Sequence, residues 1–279
     1  MNDFGGKWTH EKIEVFMKYL KAYMQIMKMR PYWRLLYFDG FAGSGKIQTK
    51  DDEFDLLEGV ALRVLKMTDP RAFDLLYFVD KDQDNAAILK RNINENFPHV
   101  DNVYVSASDC NEKLQGLSQF LKKQENKDFH GIVFIDPYGM QVKWESIESL
   151  KGIDIDLWIL VPTGSAINRM LKCKSHSPDT WFKSLGHFFG ISPDLIKERF
   201  YKRSPQMNLF GEEEIEKVTN AAKVAAVLYR ERLNTVFKFV SEPLEMKNSK
   251  NSIIFHFFLA SNFQVATKIA NDIVNNKSK

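Results

Sequence analysis

Five short apolar runs punctuate the first 162 residues: "RLLYFD" (34–39), "DLLYFVD" (74–80), "NVYVSASD" (102–109), "GIVFID" (131–136) and "IDLWILVP" (155–162). Each has the length and β-branched or aromatic content of a buried strand. The stretches between them, 57–67, 83–96, 111–124 and 144–150, carry apolar residues at helical spacing. Strands alternating with helices predict a parallel sheet covered on both faces. Upstream, Ile13, Phe16, Tyr19, Leu20, Tyr23, Met24 and Met27 share one helical stripe. A helix over 9–29 follows, with Thr9 as its N-cap and Glu11 and Lys12 in the first turn.

The rhythm breaks after the fifth strand. Residues 165–230 read as helical, with a loop around "SPQMNLFGEEE". Two further strands, 236–246 and 252–261, flank the short turn "KNSKN", which predicts an antiparallel hairpin. Residues 264–274 close as a helix. The predicted organisation is an N-terminal helix (1–30), an α/β core (31–164), a helical insertion (165–232), and a hairpin and helix that complete the core (233–279).

Composition narrows the class. A chain of 279 residues with 44% hydrophobic content can bury a large core. No apolar run reaches the ~20 residues that span a bilayer, and the N-terminal stretch lacks the apolar region of a signal peptide. Cys110 and Cys173 form no metal-ligand pattern, so the expectation is reduced thiols, no metal and a cytoplasmic protein. The net charge of +3 is too mild to demand a nucleic-acid partner. Residues 165–205 are more basic, with eight Lys or Arg against three acids. They read either as a solvated surface or as a phosphate-facing patch that includes Arg169, Lys172 and Lys174.

Chemistry concentrates at the strand ends. "DGFAGSGKIQ" (39–48) has the glycine and lysine spacing of a phosphate-binding loop. That loop needs a hydroxyl for magnesium after its lysine, and Ile47 stands there. Asp39 would also face the phosphates and repel them. A cationic nucleoside ligand without phosphate fits better: glycines such as Gly43 and Gly45 admit it closely, and Asp39 can meet an ammonium. Asp80 ends the second strand, where an acid can accept both ribose hydroxyls; the alternative is a helix cap, a role Asp82 or Gln83 could fill instead. Asp109 ends the third, suited to an adenine amine or to capping, with Glu112 at capping-box spacing. The fourth ends in "IDPYGM", which sets Asp136, Pro137 and Tyr138 at the carboxyl edge of the sheet.

Together "DGFAGSGK", "VDKD", "SASDCNEKL" and "IDPYGM" resemble the class I S-adenosyl-L-methionine (SAM)-dependent methyltransferases. The chain is similar above all to the three-Cys-motif partner (TcmP) family. "WTHEKIEVFMKYLKAYMQIM", "VFIDPYGMQVKWESIESL", "DLWILVPTGSAINRML" and "FHFFLAS" carry that likeness across most of its length. The resemblance implies a Rossmann-like, mostly parallel sheet with an antiparallel last strand. It implies SAM as cofactor, held by Asp39, Phe41, Gly43, Gly45, Asp80, Lys81, Asp109 and Cys110. Asp136 to Tyr138 resembles the Asp/Asn-Pro-Pro-Tyr/Phe signature of amino methyltransferases, with one proline fewer, and is nearer the Asp-Pro-Phe-Gly of some tRNA guanine methyltransferases. The expected activity is N-methylation of a base amine in RNA or DNA, with Asp136, Pro137 and Tyr138 catalytic. Tyr138, Arg169, Lys172 and Lys174 are expected to hold the substrate. The alternatives are a SAM- or nucleoside-binding scaffold serving a three-Cys-motif protein, and a small-molecule or protein methyltransferase.

Overall fold

The structure, a computed structural model, describes residues 7–48, 56–164, 166–171, 178–207 and 213–276. In chain order its elements begin with α1 (Lys7–Lys28), β1 (Arg34–Asp39), β2 (Lys46–Gln48), β3 (Leu56–Glu58), α2 (Val60–Leu65) and β4 (Leu75–Asp80). Then come α3 (Gln83–Asn96), β5 (Val103–Ala107), α4 (Cys110–Lys122), β6 (Phe129–Ile135), α5 (Trp144–Glu148) and β7 (Ile155–Val161). The remainder is α6 (Ala166–Met170), α7 (Asp179–Phe189), α8 (Pro193–Phe200), β8 (Tyr201–Met207), β9 (Glu213–Lys217), α9 (Ala221–Leu233), β10 (Phe239–Val240), β11 (Leu244–Lys247), β12 (Ile253–Ser261) and α10 (Gln264–Asn275).

The central sheet runs β10-β12-β7-β6-β1-β4-β5, with β11 also paired to β12. Strands β1, β4, β5, β6 and β7 are parallel, and β12 enters antiparallel beside β7. The chain leaves β1 toward β4 and β5, then crosses back to β6 and β7. The order therefore reverses between β1 and β6, the switch point where open α/β sheets bind ligands. Alternate residues of each strand feed two cores. Leu36, Phe38, Val133 and Ile135 pack with α4, α5 and α7–α9, whereas Leu35, Tyr37, Ile132 and Phe134 pack with α1–α3 and α10. Among the described residues no helix is long and apolar enough to cross a membrane.

Three local expectations change. Helix α1 already runs at Lys7, so Thr9 sits inside the helix and does not cap it. The helix expected from 57 begins at Val60, because a hairpin of β2 and β3 follows the glycine turn and Gly59 is extended at φ −66°, ψ 171°. Within 165–230, read as helical with a loop around 204–214, Tyr201–Met207 and Glu213–Lys217 pair as the antiparallel strands β8 and β9.

Candidate functional site

Strand parity aims the catalytic candidates. Asp39 follows Tyr37 at a spacing of two, and Asp136 follows Phe134 in the same way, so both side chains face α1. A cavity of about 580 Å³ opens there, between α1, the glycine turn and the ends of β1 and β6. Asp39, Phe41, Gly43, Gly45, Asp136, Pro137 and Tyr138 all line it. Gly43 (φ +60°) and Gly45 (φ +81°) both use the left-handed region, where glycine is favoured. A Cβ at Gly43 would meet only open space, whereas one at Gly45 would press on Leu89 of α3 at 2.9 Å and Leu62 of α2 at 3.1 Å. Gly43 thus leaves the turn's backbone bare, while Gly45 fits it against the helices.

The remaining cofactor candidates, Asp80, Lys81, Asp109 and Cys110, are not among the residues lining this cavity. Asp80 Oδ2 accepts the Gly43 N–H at 2.8 Å, and Oδ1 accepts the Asp82 N–H at 2.8 Å. Asp82 caps α3 by accepting the Asn85 N–H at 2.9 Å, so Asp80 is not the cap; it ties the glycine turn to β4. Asp109 is the N-cap of α4, taking the Asn111 N–H at 2.9 Å, and Lys81 lies 3.5 Å from it. Cys110 is buried against Gly40, and burial pushes its thiol well above the ordinary range. Of the expected basic patch, the Arg169 side chain and the whole of Lys172 and Lys174 lie outside the described residues. Nearby, Lys197 is 3.6 Å from Asp179 and Arg199 is 3.0 Å from Glu231, so these charges are paired within the chain.

The sequence reading missed what α1 brings. Trp8, Thr9, Lys12 and Ile13 form one wall of the cavity, and the Lys12 ammonium hydrogen-bonds Asp136 Oδ2. Lys12 is almost wholly enclosed, with a side chain 5% exposed against 23% for Asp136. The signal was present: Thr9, Lys12, Phe16, Tyr19 and Tyr23 recur at intervals of three and four, so a cation stands on the apolar stripe. Asp39 is also buried, and burial pushes its carboxyl up to about 7. The Phe41 N–H and the Tyr37 hydroxyl favour its charged form, the Asp136 charge opposes it, and Lys12 favours it. Tyr138, 69% exposed, stands at the mouth, its N–H donated to Gln141 Oε1 at 3.0 Å.

Strand order and switch-point cavity together define an α/β protein of Rossmann-like, class I methyltransferase-like architecture. No family model matches the chain, and no curated protein does. Among solved structures it is similar to the Legionella pneumophila protein LPL1258, of the DUF519 family, at 16% identity and TM-score 0.46, covering 93% of this chain and 98% of that one. It is similar to the N-terminal domain of EvdMO1, solved with SAH bound, at 9% identity and TM-score 0.42, covering 88% and 80%. Spermidine synthase from Thermotoga maritima aligns at 11% identity and TM-score 0.40, over 87% of this chain and 58% of the synthase. These values are too low to carry an argument about chemistry, which rests on the residues of the cavity.

Proposed function

We propose that the chain is a SAM-dependent N-methyltransferase acting on an exocyclic amine of a base in RNA or DNA, and that it belongs to the three-Cys-motif partner family it resembles. The observation that supports this most is the meeting of the glycine turn and Asp136–Pro137–Tyr138 on one cavity at the switch point. The residues fit the cofactor. Gly43 leaves room for close approach, and the buried Asp39 carboxyl can ionise against an ammonium group. Each Asp80 oxygen accepts one backbone N–H and keeps a lone pair for a ribose hydroxyl. When bound, SAM supplies an electrophilic methyl group. The chain's part is alignment: Asp136 and the Pro137 carbonyl accept the amine hydrogens and aim its lone pair, while Tyr138 at the mouth stacks on the base. One stacked ring contributes about 1–3 kcal/mol. That is no more than the few kcal/mol needed to extrude a paired base, so further contacts must hold the polynucleotide.

Calorimetry against SAM and against ATP–magnesium, followed by methyl transfer to total tRNA, rRNA and genomic DNA, tests this reading. Micromolar SAM affinity, about −8 kcal/mol, weak ATP–magnesium binding and transfer to one pool are the expected results. Tight ATP–magnesium binding with hydrolysis would restore the phosphate-loop reading. SAM binding with no transfer to any pool would point to the scaffold.

A further inference from the structure

The Lys12–Asp136 pair has a feature that a simple tie between α1 and the sheet would not need: it lies on the cavity wall. Apolar residues already hold α1 in place, with Phe16, Leu20 and Met24 fully buried against the sheet. The ammonium takes Asp136 Oδ2 and stands 5.4 Å from the centroid of the Trp8 ring. Asp136 Oδ1 has no hydrogen bond among the described residues. A carboxylate gripped at one oxygen cannot rotate freely. An ionised carboxylate accepts hydrogen bonds and donates none.

We propose that Lys12 is the positioning residue of this site: it caps one oxygen of Asp136 so that the other is presented, as an acceptor only, to the nitrogen that is to be methylated. The inference rests on the methyltransferase reading above. It adds a selection rule. The site takes a nucleophile that carries N–H, an exocyclic amine, and turns away a bare ring nitrogen or a carbonyl oxygen, whose lone pair would face the carboxylate. Charged and titratable groups that interact with Asp136 include Lys12 from α1, Tyr37 and Asp39 from β1 and Tyr138 from its own loop. Asp80 of β4 also acts on Tyr138, while β7 and β12 present Leu160 and Phe255 to the cavity. Among the described residues Lys12 is the one cation in this group, beside the second carboxylate of Asp39.

Two readouts test it. The first is the crystal structure of the ligand-free protein beside those of two variants. In Lys12→Met the Asp136 carboxyl should leave the rotamer it holds in the wild type, and in Lys12→Arg it should keep it. An unmoved Asp136 in Lys12→Met overturns the proposal whether or not methyl transfer is ever found. The second is methyl transfer at saturating SAM. Lys12→Met should lose roughly 100-fold in kcat, within the range for a misplaced catalytic group, and Lys12→Arg should recover most of it. A loss of SAM affinity that explains the whole effect overturns it as well. A wild type that transfers nothing removes the nucleic-acid reading, and the crystal structures still decide whether Lys12 sets the position of Asp136.

Discussion

Helix α1 covers two carboxylates at opposite ends of the same sheet, Asp136 half-buried and Asp156 buried, and they differ in what surrounds them. At the carboxyl edge, Asp136 meets the ammonium of Lys12 on the wall of a cavity. Near the other end of the sheet, Asp156 at the start of β7 accepts the Tyr19 hydroxyl at 2.6 Å and does not line that cavity. The first is a charged pair with one oxygen left open toward space that a ligand can occupy. The second is a carboxyl enclosed beside Tyr19, with Oδ1 buried and without a hydrogen bond among the described residues, and burial pushes it up to about 6. Burial of an acid is thus not by itself a sign of a site. A partner of opposite charge and an opening beside it are what separate machinery from scaffold.

The strongest break of this comparison is a crossed pair of variants. Lys12→Met with Asp136→Leu removes both charges together, so no lone ion is left buried. Such replacements are close to neutral or stabilising by about 1–4 kcal/mol. Methyl transfer should nevertheless fall by roughly 10²–10⁴-fold, with SAM affinity kept. Asp156→Ala should do the reverse. It strands the Tyr19 hydroxyl and opens a void, costing on the order of 2–4 kcal/mol, while transfer by the folded protein is unchanged. Urea unfolding and a transfer assay on the two proteins decide. Retained transfer in the double variant would reduce Lys12–Asp136 to a structural tie.

The next effect separates the two ends by pH. Asp39 and Asp156 both hold protons more tightly folded than unfolded, Asp39 to about 7 and Asp156 to about 6. The folded state therefore binds more protons over this range. Their contribution is fully present below about pH 4, the unfolded carboxyl value, and is lost as pH rises through the folded values. Each contributes on the order of 3 kcal/mol by this linkage. Asp156→Asn should flatten the decline up to about pH 6 and Asp39→Asn the part that continues to about pH 7. Guanidinium midpoints across that range measure it. A wild type whose stability rises from pH 4 to 7 while neither variant changes the slope would show that both acids are solvated.

Much of the fold could be read from the chain because its strands are short, apolar and bounded. Strand β1 runs Arg34–Asp39 and α3 runs Gln83–Asn96, as their patterns predicted. The glycine turn and the Asp-Pro-Tyr-Gly turn were also legible, since glycine freedom and proline rigidity are local properties. What stayed hidden was set by tertiary contact. The β8–β9 pairing was obscured by polar and charged residues that suit a loop or a helix as well as a strand. Asp80 holds the Gly43 N–H across 37 positions of sequence, which no spacing rule encodes. Lys12 was placed in the first turn of the helix and given no role in the site. It falls in line with Phe16, Tyr19 and Tyr23, facing the sheet.

The smallest expected effect sharpens the comparison further. Tyr19→Phe removes one hydroxyl from the lower cluster and leaves Asp156 with Ser261. A hydrogen bond to a charged group is worth about 1.5–3 kcal/mol and one between neutral groups about 0.5–1.5 kcal/mol. The penalty should therefore grow as Asp156 ionises, from about 1 kcal/mol at pH 5 to about 2 kcal/mol at pH 8. The ring remains, so its packing against Trp158 at 5.2 Å should persist and limit the loss to the hydroxyl. Transfer should not change, because Lys12 lies two turns away on α1 and its own pair does not involve Tyr19. Paired urea titrations at the two pH values, with a transfer assay alongside, read both quantities. A pH-independent penalty would mean that Asp156 keeps one protonation state throughout. A loss of transfer as large as that of the Lys12 variants would mean that the two ends of α1 act as one unit, and the distinction between site and scaffold would then fail along this helix.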